Sequence, residues 1–165
     1  MQGRLPEVPA NFPVNMIVIG AIRMKALNTI RLVFPSRSVN EGFARSAVAA
    51  FAAQADPTMD ELADLKTAVS EAVTNCIVHA YADRIGNITL CAALYEDGTL
   101  RVTVTDKGCG IPDVAKAMEP LFTTGGPERA GLGFAVMTSF TDALKVHSTP
   151  GRGTRVILEK RLGRR

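Results

Sequence analysis

Ile88-Thr89-Leu90-Cys91-Ala92-Ala93-Leu94-Tyr95-Glu96-Asp97-Gly98-Thr99-Leu100-Arg101-Val102-Thr103-Val104-Thr105 is the stretch that decides the fold. Ile88, Leu90, Ala92 and Leu94 recur at every second position, so they share one face of a strand. Asp97-Gly98 is a tight-turn signal, and Leu100, Val102 and Val104 resume the alternation beyond it. A hairpin with one apolar face must cover that face with another layer.

The covering layer is legible upstream. Leu62, Leu65, Val69, Val73, Cys76 and Ala80 recur at three and four, which predicts a helix with one buried stripe from Thr58 to about Tyr81. Thr58-Met59-Asp60-Glu61 opens it as a capping box. Ser38-Val39-Asn40-Glu41 reads as a second such box, opening a helix to about Gln54 with Phe43, Ala47, Ala50 and Phe51 facing inward. Thr29–Phe34 alternates and is stopped by Pro35, so it reads as the first strand.

Downstream of the hairpin, 113–118 suits a short helix. Periodicity then fails from Glu119 to Ala130, where Pro120, Gly125, Gly126 and Pro127 mark a loop. A helix from about Leu132 to Phe140 and strands near 143–148 and 154–161 complete the order. Strands joined as hairpins with helices between them predict an α+β fold: a two-layer sandwich, with a mixed sheet and helices on one face.

Composition agrees with a single domain. The chain has 165 residues, 47% hydrophobic and 21% charged, with a formal charge of +3. No basic face with aromatic or groove-reading elements stands out, which argues against direct nucleic-acid binding. The basic run Lys160–Arg165 reads as a solvated terminus. Three cysteines at no metal-ligand spacing give neither a disulfide framework nor a zinc site, and reduced thiols suit a cytoplasmic protein. Val14–Ile22 is apolar but too short to span a bilayer, and only Arg4 precedes it, so no membrane anchor is expected. Residues 1–27 read as a poorly ordered leader, with Met24 a candidate start, and 28–165 as the domain.

Four elements carry chemistry. Glu71 and Asn75 stand four apart, on one side of the long helix and off its apolar stripe. A carboxylate can accept a proton from a hydroxyl, and an amide oxygen can bind Mg²⁺. Asp106-Lys107-Gly108-Cys109-Gly110 puts a carboxylate at a strand end beside a turn that a ligand can approach closely. Gly131-Leu132-Gly133 lies where the loop meets a helix N-terminus, a place that favours phosphate, yet no Walker A sequence follows. Gly153-Thr154 opens the last strand.

Taken in order and spacing, these elements resemble the GHKL ATP-binding superfamily of histidine kinases, gyrase-type ATPases, Hsp90 and MutL. Glu71-x-x-x-Asn75 is similar to its N-box, Asp106-x-Gly108-x-Gly110 and Gly131-x-Gly133 to its glycine boxes, and the intervening loop to its ATP lid. Phe34–Arg45, Asp56-Pro57-Thr58, Ser70–Asn75, His79-Ala80-Tyr81 and Pro120–Thr124 narrow the likeness to the anti-sigma F factors of endospore-forming bacteria. That resemblance runs from about Ile30 to Leu158.

The resemblance implies a protein-serine kinase that inhibits a sporulation sigma factor. Its substrate would be a serine on an anti-anti-sigma protein, its cofactors ATP or ADP with Mg²⁺, and its assembly a homodimer. Glu71 would be the general base and Asn75 the Mg²⁺ ligand. Asp106 would bind the adenine amine, supported by the Thr154 hydroxyl. Gly108, Gly110, Gly131, Leu132 and Gly133 would wrap the nucleotide, and Arg129 would offset phosphate charge. Arg45 would contact the sigma factor. A Lys usual after the lid Thr-Thr pair is replaced here by Gly125-Gly126-Pro127, leaving Arg129 as the lid cation. A general-stress anti-sigma kinase and a nucleotide-gated binding module without kinase activity stay open beside this reading. His79 is expected at the pocket edge or packed, His147 on a strand surface, and Cys109 as a passive small side chain.

Overall fold

The computed structural model describes residues 16–19, 22–119 and 132–163, with side chains described from Lys25 onward. Among the described residues six strands form one sheet: β1 (Met16–Ile19), β2 (Ile22–Pro35), β3 (Asn87–Tyr95), β4 (Thr99–Thr105), β5 (Ala143–Thr149) and β6 (Gly153–Arg161). Their order across the sheet is β1-β2-β3-β4-β6-β5. The helices are α1 (Val39–Ala52), α2 (Met59–Asn75), α3 (Val114–Ala117) and α4 (Gly133–Phe140). A 3₁₀ turn at Ala53–Ala55 follows α1, and a widened π turn at Cys76–Ala80 continues α2.

The two-layer α+β architecture is as expected, but the sheet is not mixed: every pairing is antiparallel. Two helices between β2 and β3 return the chain to the end where β2 finished, so Pro35 faces Asn87. The crossover through α4 alone would leave β4 and β5 parallel, but β6 is inserted between them.

One face of the sheet carries the core. Phe34, Ile88, Leu90, Leu100, Val102, Val104 and Leu158 pack beneath Val48 and Phe51 of α1, Leu65, Val69 and Val73 of α2, and Met137 of α4. The other face carries Arg31, Val33, His147 and Arg155, all exposed, and a small buried cluster of Ala93 and Tyr95 with Ala26 packed against it.

Three local expectations need correction. The strand expected at Thr29 begins at Ile22 and pairs with β1, so part of the stretch read as a leader lies in the sheet. A register shift between Ala26 and Asn28 explains the short reading, because a bulge breaks the period-two pattern at that point. The inward face of α1 is Ala44, Val48, Phe51 and Ala52, while Phe43 is 56% exposed and Ala50 is also exposed. The small Ala44 and Ala52 share the core cluster with Ala68 and Ala72 of α2, and small residues allow two packed helices to approach closely. Finally, the Ser38 box does not form; the Glu41 carboxylate instead takes the Ser70 hydroxyl and pairs with Arg45 at 3.3 Å. The Thr58 box does form: the Thr58 hydroxyl accepts from the Glu61 amide at 3.1 Å, and Glu61 accepts from the Thr58 amide at 2.8 Å.

Candidate nucleotide site

Glu71 and Asn75 occupy the last turns of α2, half-buried, on the side facing α4. The first residue of α4, Gly133, crosses directly over them. A Cβ there would sit 3.1 Å from Oε2 of Glu71 and 3.3 Å from Oδ1 of Asn75, so a larger side chain would displace one or both. Glycine at that position brings the helix N-terminus and its unpaired amides against the carboxylate and the amide. Two motifs far apart in sequence thus meet at one point. Burial, and secondarily the Glu41 charge, push the Glu71 carboxyl above the ordinary glutamate range.

Asp106 ends β4 and is only 5% exposed. Its Oδ1 accepts from the Gly108 amide at 2.8 Å and the Thr154 amide at 3.2 Å, and its Oδ2 accepts from the Cys76 thiol at 3.6 Å. Burial raises its proton affinity, while the two amides and the thiol pull it back down. The turn that follows is fastened to the end of α2. Cys109 donates its amide to Ala80 at 3.1 Å, and the Tyr81 hydroxyl accepts from the Lys107 amide at 2.7 Å while donating to the Asn87 carbonyl at 2.8 Å. Gly108 lies so near the Ala80 carbonyl that a Cβ would come within 2.2 Å of it. Only glycine fits there. Gly110 lies against the Thr149 carbonyl.

Thr154 meets Asp106 through its amide, not through the hydroxyl that the resemblance implied; the hydroxyl pairs with Ser148 at 2.9 Å. Ser148 also accepts from the Ile111 amide at 2.7 Å. Sequence reading missed Ser148, although it continues the strand phase of Leu144 and Val146, which pack on the core, and a serine in that phase is a signal. The Cys76 thiol was missed for the opposite reason: it fits the apolar stripe and so looked like packing alone. An open cleft of about 530 Å³ is lined by Asp106, Val114, Val146, Ser148, Arg152 and Thr154 among others, and its lining does not reach Glu71 or Asn75.

Leu132 precedes α4 and is partly exposed, whereas Arg129, Gly131 and the loop glycines Gly125 and Gly126 lie outside the described residues. Arg45 is exposed on α1, paired with Glu41 at 3.3 Å and donating to the Ser70 hydroxyl of α2 at 3.4 Å. His147 is exposed on β5, Cys109 is exposed, and His79 is half-buried.

Residues 34–160 match the family model of the histidine kinase-like ATPase domain. The anti-sigma F factor of Caldanaerobacter subterraneus subsp. tengcongensis is 58% identical over 142 residues, spanning 86% of this chain and 99% of that protein. The anti-sigma F factor of Clostridium acetobutylicum is 50% identical over 135 residues, spanning 81% of this chain and 94% of its own. The chain belongs to the anti-sigma F factor family. Its ATPase domain is of the histidine-kinase type, and the family accounts for an antiparallel sheet covered on one face by helices. A histidine kinase domain from Erythrobacter litoralis shares that fold, with a TM-score of 0.52 at 24% identity over 74% of this chain and 61% of that one. Among the described residues no helix is long and apolar enough to cross a membrane.

Proposed function

We propose that this chain is an anti-sigma factor and protein-serine kinase. It holds a sigma factor of the F type and uses ATP to phosphorylate a serine on an anti-anti-sigma protein. The observation that carries the kinase reading is the Glu71–Asn75 pair facing the N-terminus of α4 across Gly133, with the buried Asp106 tied to the turn that continues α2 through the Cys76 thiol.

In this reading Asp106 accepts a hydrogen bond from the adenine amine, and the amides that open α4 take phosphate oxygens. Among the described residues no three His, Cys, Asp or Glu cluster as a metal site. One amide oxygen from Asn75, completed by phosphate oxygens and water, fits Mg²⁺, which is usually held by few protein ligands. Mg²⁺ would neutralise charge on the phosphates. Glu71, with its raised proton affinity, is suited to take the proton of the attacking serine hydroxyl. Such transfer depends on positioning and electrostatics more than on covalent chemistry. Arg45, exposed on α1, supplies a guanidinium for a carboxylate of the sigma factor. A cytoplasmic homodimer completes the proposal.

The test mixes the protein with γ-labelled ATP and candidate anti-anti-sigma proteins. Wild type should label one serine, and Glu71→Ala should bind ATP while transferring about 10²- to 10⁴-fold more slowly. Undiminished transfer by that variant would remove Glu71 as base. Tight ADP binding with no transfer to any partner would reduce the protein to a nucleotide-gated binder.

A further inference from the structure

The two oxygens of Asp106 are treated differently by the fold. Oδ1 is taken by two backbone amides, those of Gly108 and Thr154, a contact that uses no side chain. Among the described residues Oδ2 has a single partner, the thiol of Cys76. That thiol is 3% exposed and belongs to the hydrophobic core, so its reach to Asp106 is from beneath the groove. Cys76 is also where α2 changes from an α-helix to the π turn Cys76–Ala80, whose last carbonyl holds the Cys109 amide. The cysteine therefore sits at the junction between the base-reading carboxylate and the turn that carries it.

We propose that Cys76 is a positioning residue for nucleobase selection: its buried thiol, donating to Oδ2 of Asp106, fixes the orientation in which that oxygen meets an exocyclic amine. The inference rests on reading Asp106 as the group that contacts the base. A carboxylate held by three donors stays an acceptor, which suits the amine of adenine and repels the carbonyl that hypoxanthine carries at the same place. Burial favours the protonated form of Asp106, and the amides of Gly108 and Thr154, then the thiol, oppose it; a protonated Asp106 could instead donate to the carbonyl. The donor beneath the carboxylate thus preserves discrimination between the two bases. A thiol is a weak donor, so its removal should weaken selection rather than abolish it.

The experiment measures dissociation constants of the full chain for ATP and for inosine triphosphate, in wild type, Cys76→Val, Cys76→Ser and Asp106→Asn. Valine is larger than cysteine and has no donor, whereas serine is smaller and keeps one. We expect Cys76→Val to lower the preference for ATP about fivefold, the scale of one modest hydrogen bond, and Cys76→Ser to keep it near wild type. The reverse order would mean that Cys76 acts only by filling space, and would overturn the inference. Should Cys76→Val fail to fold, Cys76→Ala against Cys76→Ser makes the same comparison. Asp106→Asn separates this idea from the one beneath it. If that variant keeps the wild-type preference, Asp106 does not read the base; if it loses the preference while Cys76→Val keeps it, the carboxylate reads the base without help from the thiol.

Discussion

Glu71 shows how a single residue acquires a task from its surroundings. An exposed glutamate on a helix is a poor base at neutral pH because it holds a proton too weakly. Half-burial beneath α4 raises its proton affinity, and the Glu41 carboxylate on the neighbouring helix adds to the effect. Only the deprotonated form can accept the serine proton. Phosphoryl transfer should therefore rise with pH through a midpoint above the ordinary glutamate value of about 4.3. Glu41→Gln removes the like charge, lowers the proton affinity of Glu71, and should move that acid limb to lower pH. A pH profile of transfer at saturating ATP and partner measures both quantities. An acid limb that stays in place in the Glu41→Gln protein would mean that Glu41 does not influence the base. Gly133 offers a second test at this scale. Gly133→Ala puts a methyl 3.1 Å from Oε2 of Glu71, and on the proposed reading it should slow transfer more than it weakens ATP binding.

At the scale of elements, α2 carries the site, and its start is held by the reciprocal bonds of Thr58 and Glu61. The Thr58 amide is the main cause of the lowered proton affinity of Glu61, with the Gly163 amide adding to it. A carboxylate whose folded pKa is depressed contributes stability above its unfolded pKa, and loses it as pH falls through the folded value. Thr58→Ala should cost about 1 kcal/mol in urea unfolding at neutral pH. Glu61→Gln should be destabilising at neutral pH and nearly neutral once the medium is acid enough to protonate Glu61. Both boxes looked alike as sequence, and only one forms: Glu41 pairs with Arg45 one turn along α1 and takes the Ser70 hydroxyl from α2. The Arg45 pairing is a local i, i+4 contact, but the Ser70 contact is tertiary and could not be read locally. The β3–β4 hairpin and the α2 stripe were legible because their periods of two and of three to four are fixed by backbone geometry alone. The face of α1 was not, because Phe43 and Ala44 suit a helix equally well and the choice depends on how closely α2 approaches. Likewise the Glu71, Asn75 and Asp106 motifs could be read, but the thiol of Cys76 and the hydroxyl of Ser148 gain their roles only when β4, β5 and α2 converge.

The whole molecule is closed by a segment that sequence reading left in solvent. Basic residues surround Leu162, yet Leu162 is 4% exposed and packs with the core. Its amide donates to the Gly98 carbonyl at 2.9 Å, which ties the end of β6 to the β3–β4 turn. The next amide, from Gly163, donates to Glu61 at 3.2 Å, and Lys160 reaches Asp64 at 3.0 Å and the Phe140 carbonyl at 2.9 Å. These bonds join the sheet, the start of α2 and the end of α4 at one corner. The groups proposed to hold the nucleotide lie at the opposite end of β6, where Thr154 meets Asp106; nine residues of strand separate the two by roughly 27 Å. Stability and ligand binding should therefore respond separately to a change at this corner. Leu162→Ala should lower stability by about 2–4 kcal/mol, the range for emptying a buried leucine site. In urea the midpoint should fall with little change in slope, since the surface exposed on unfolding is nearly the same. Where the variant is still folded, its ATP affinity should match wild type, and ATP should raise the midpoint of both proteins by the same free energy. If Leu162→Ala unfolds at the wild-type urea concentration, this corner does not fasten the fold; if its ATP affinity falls while it is still folded, the two ends of β6 are coupled.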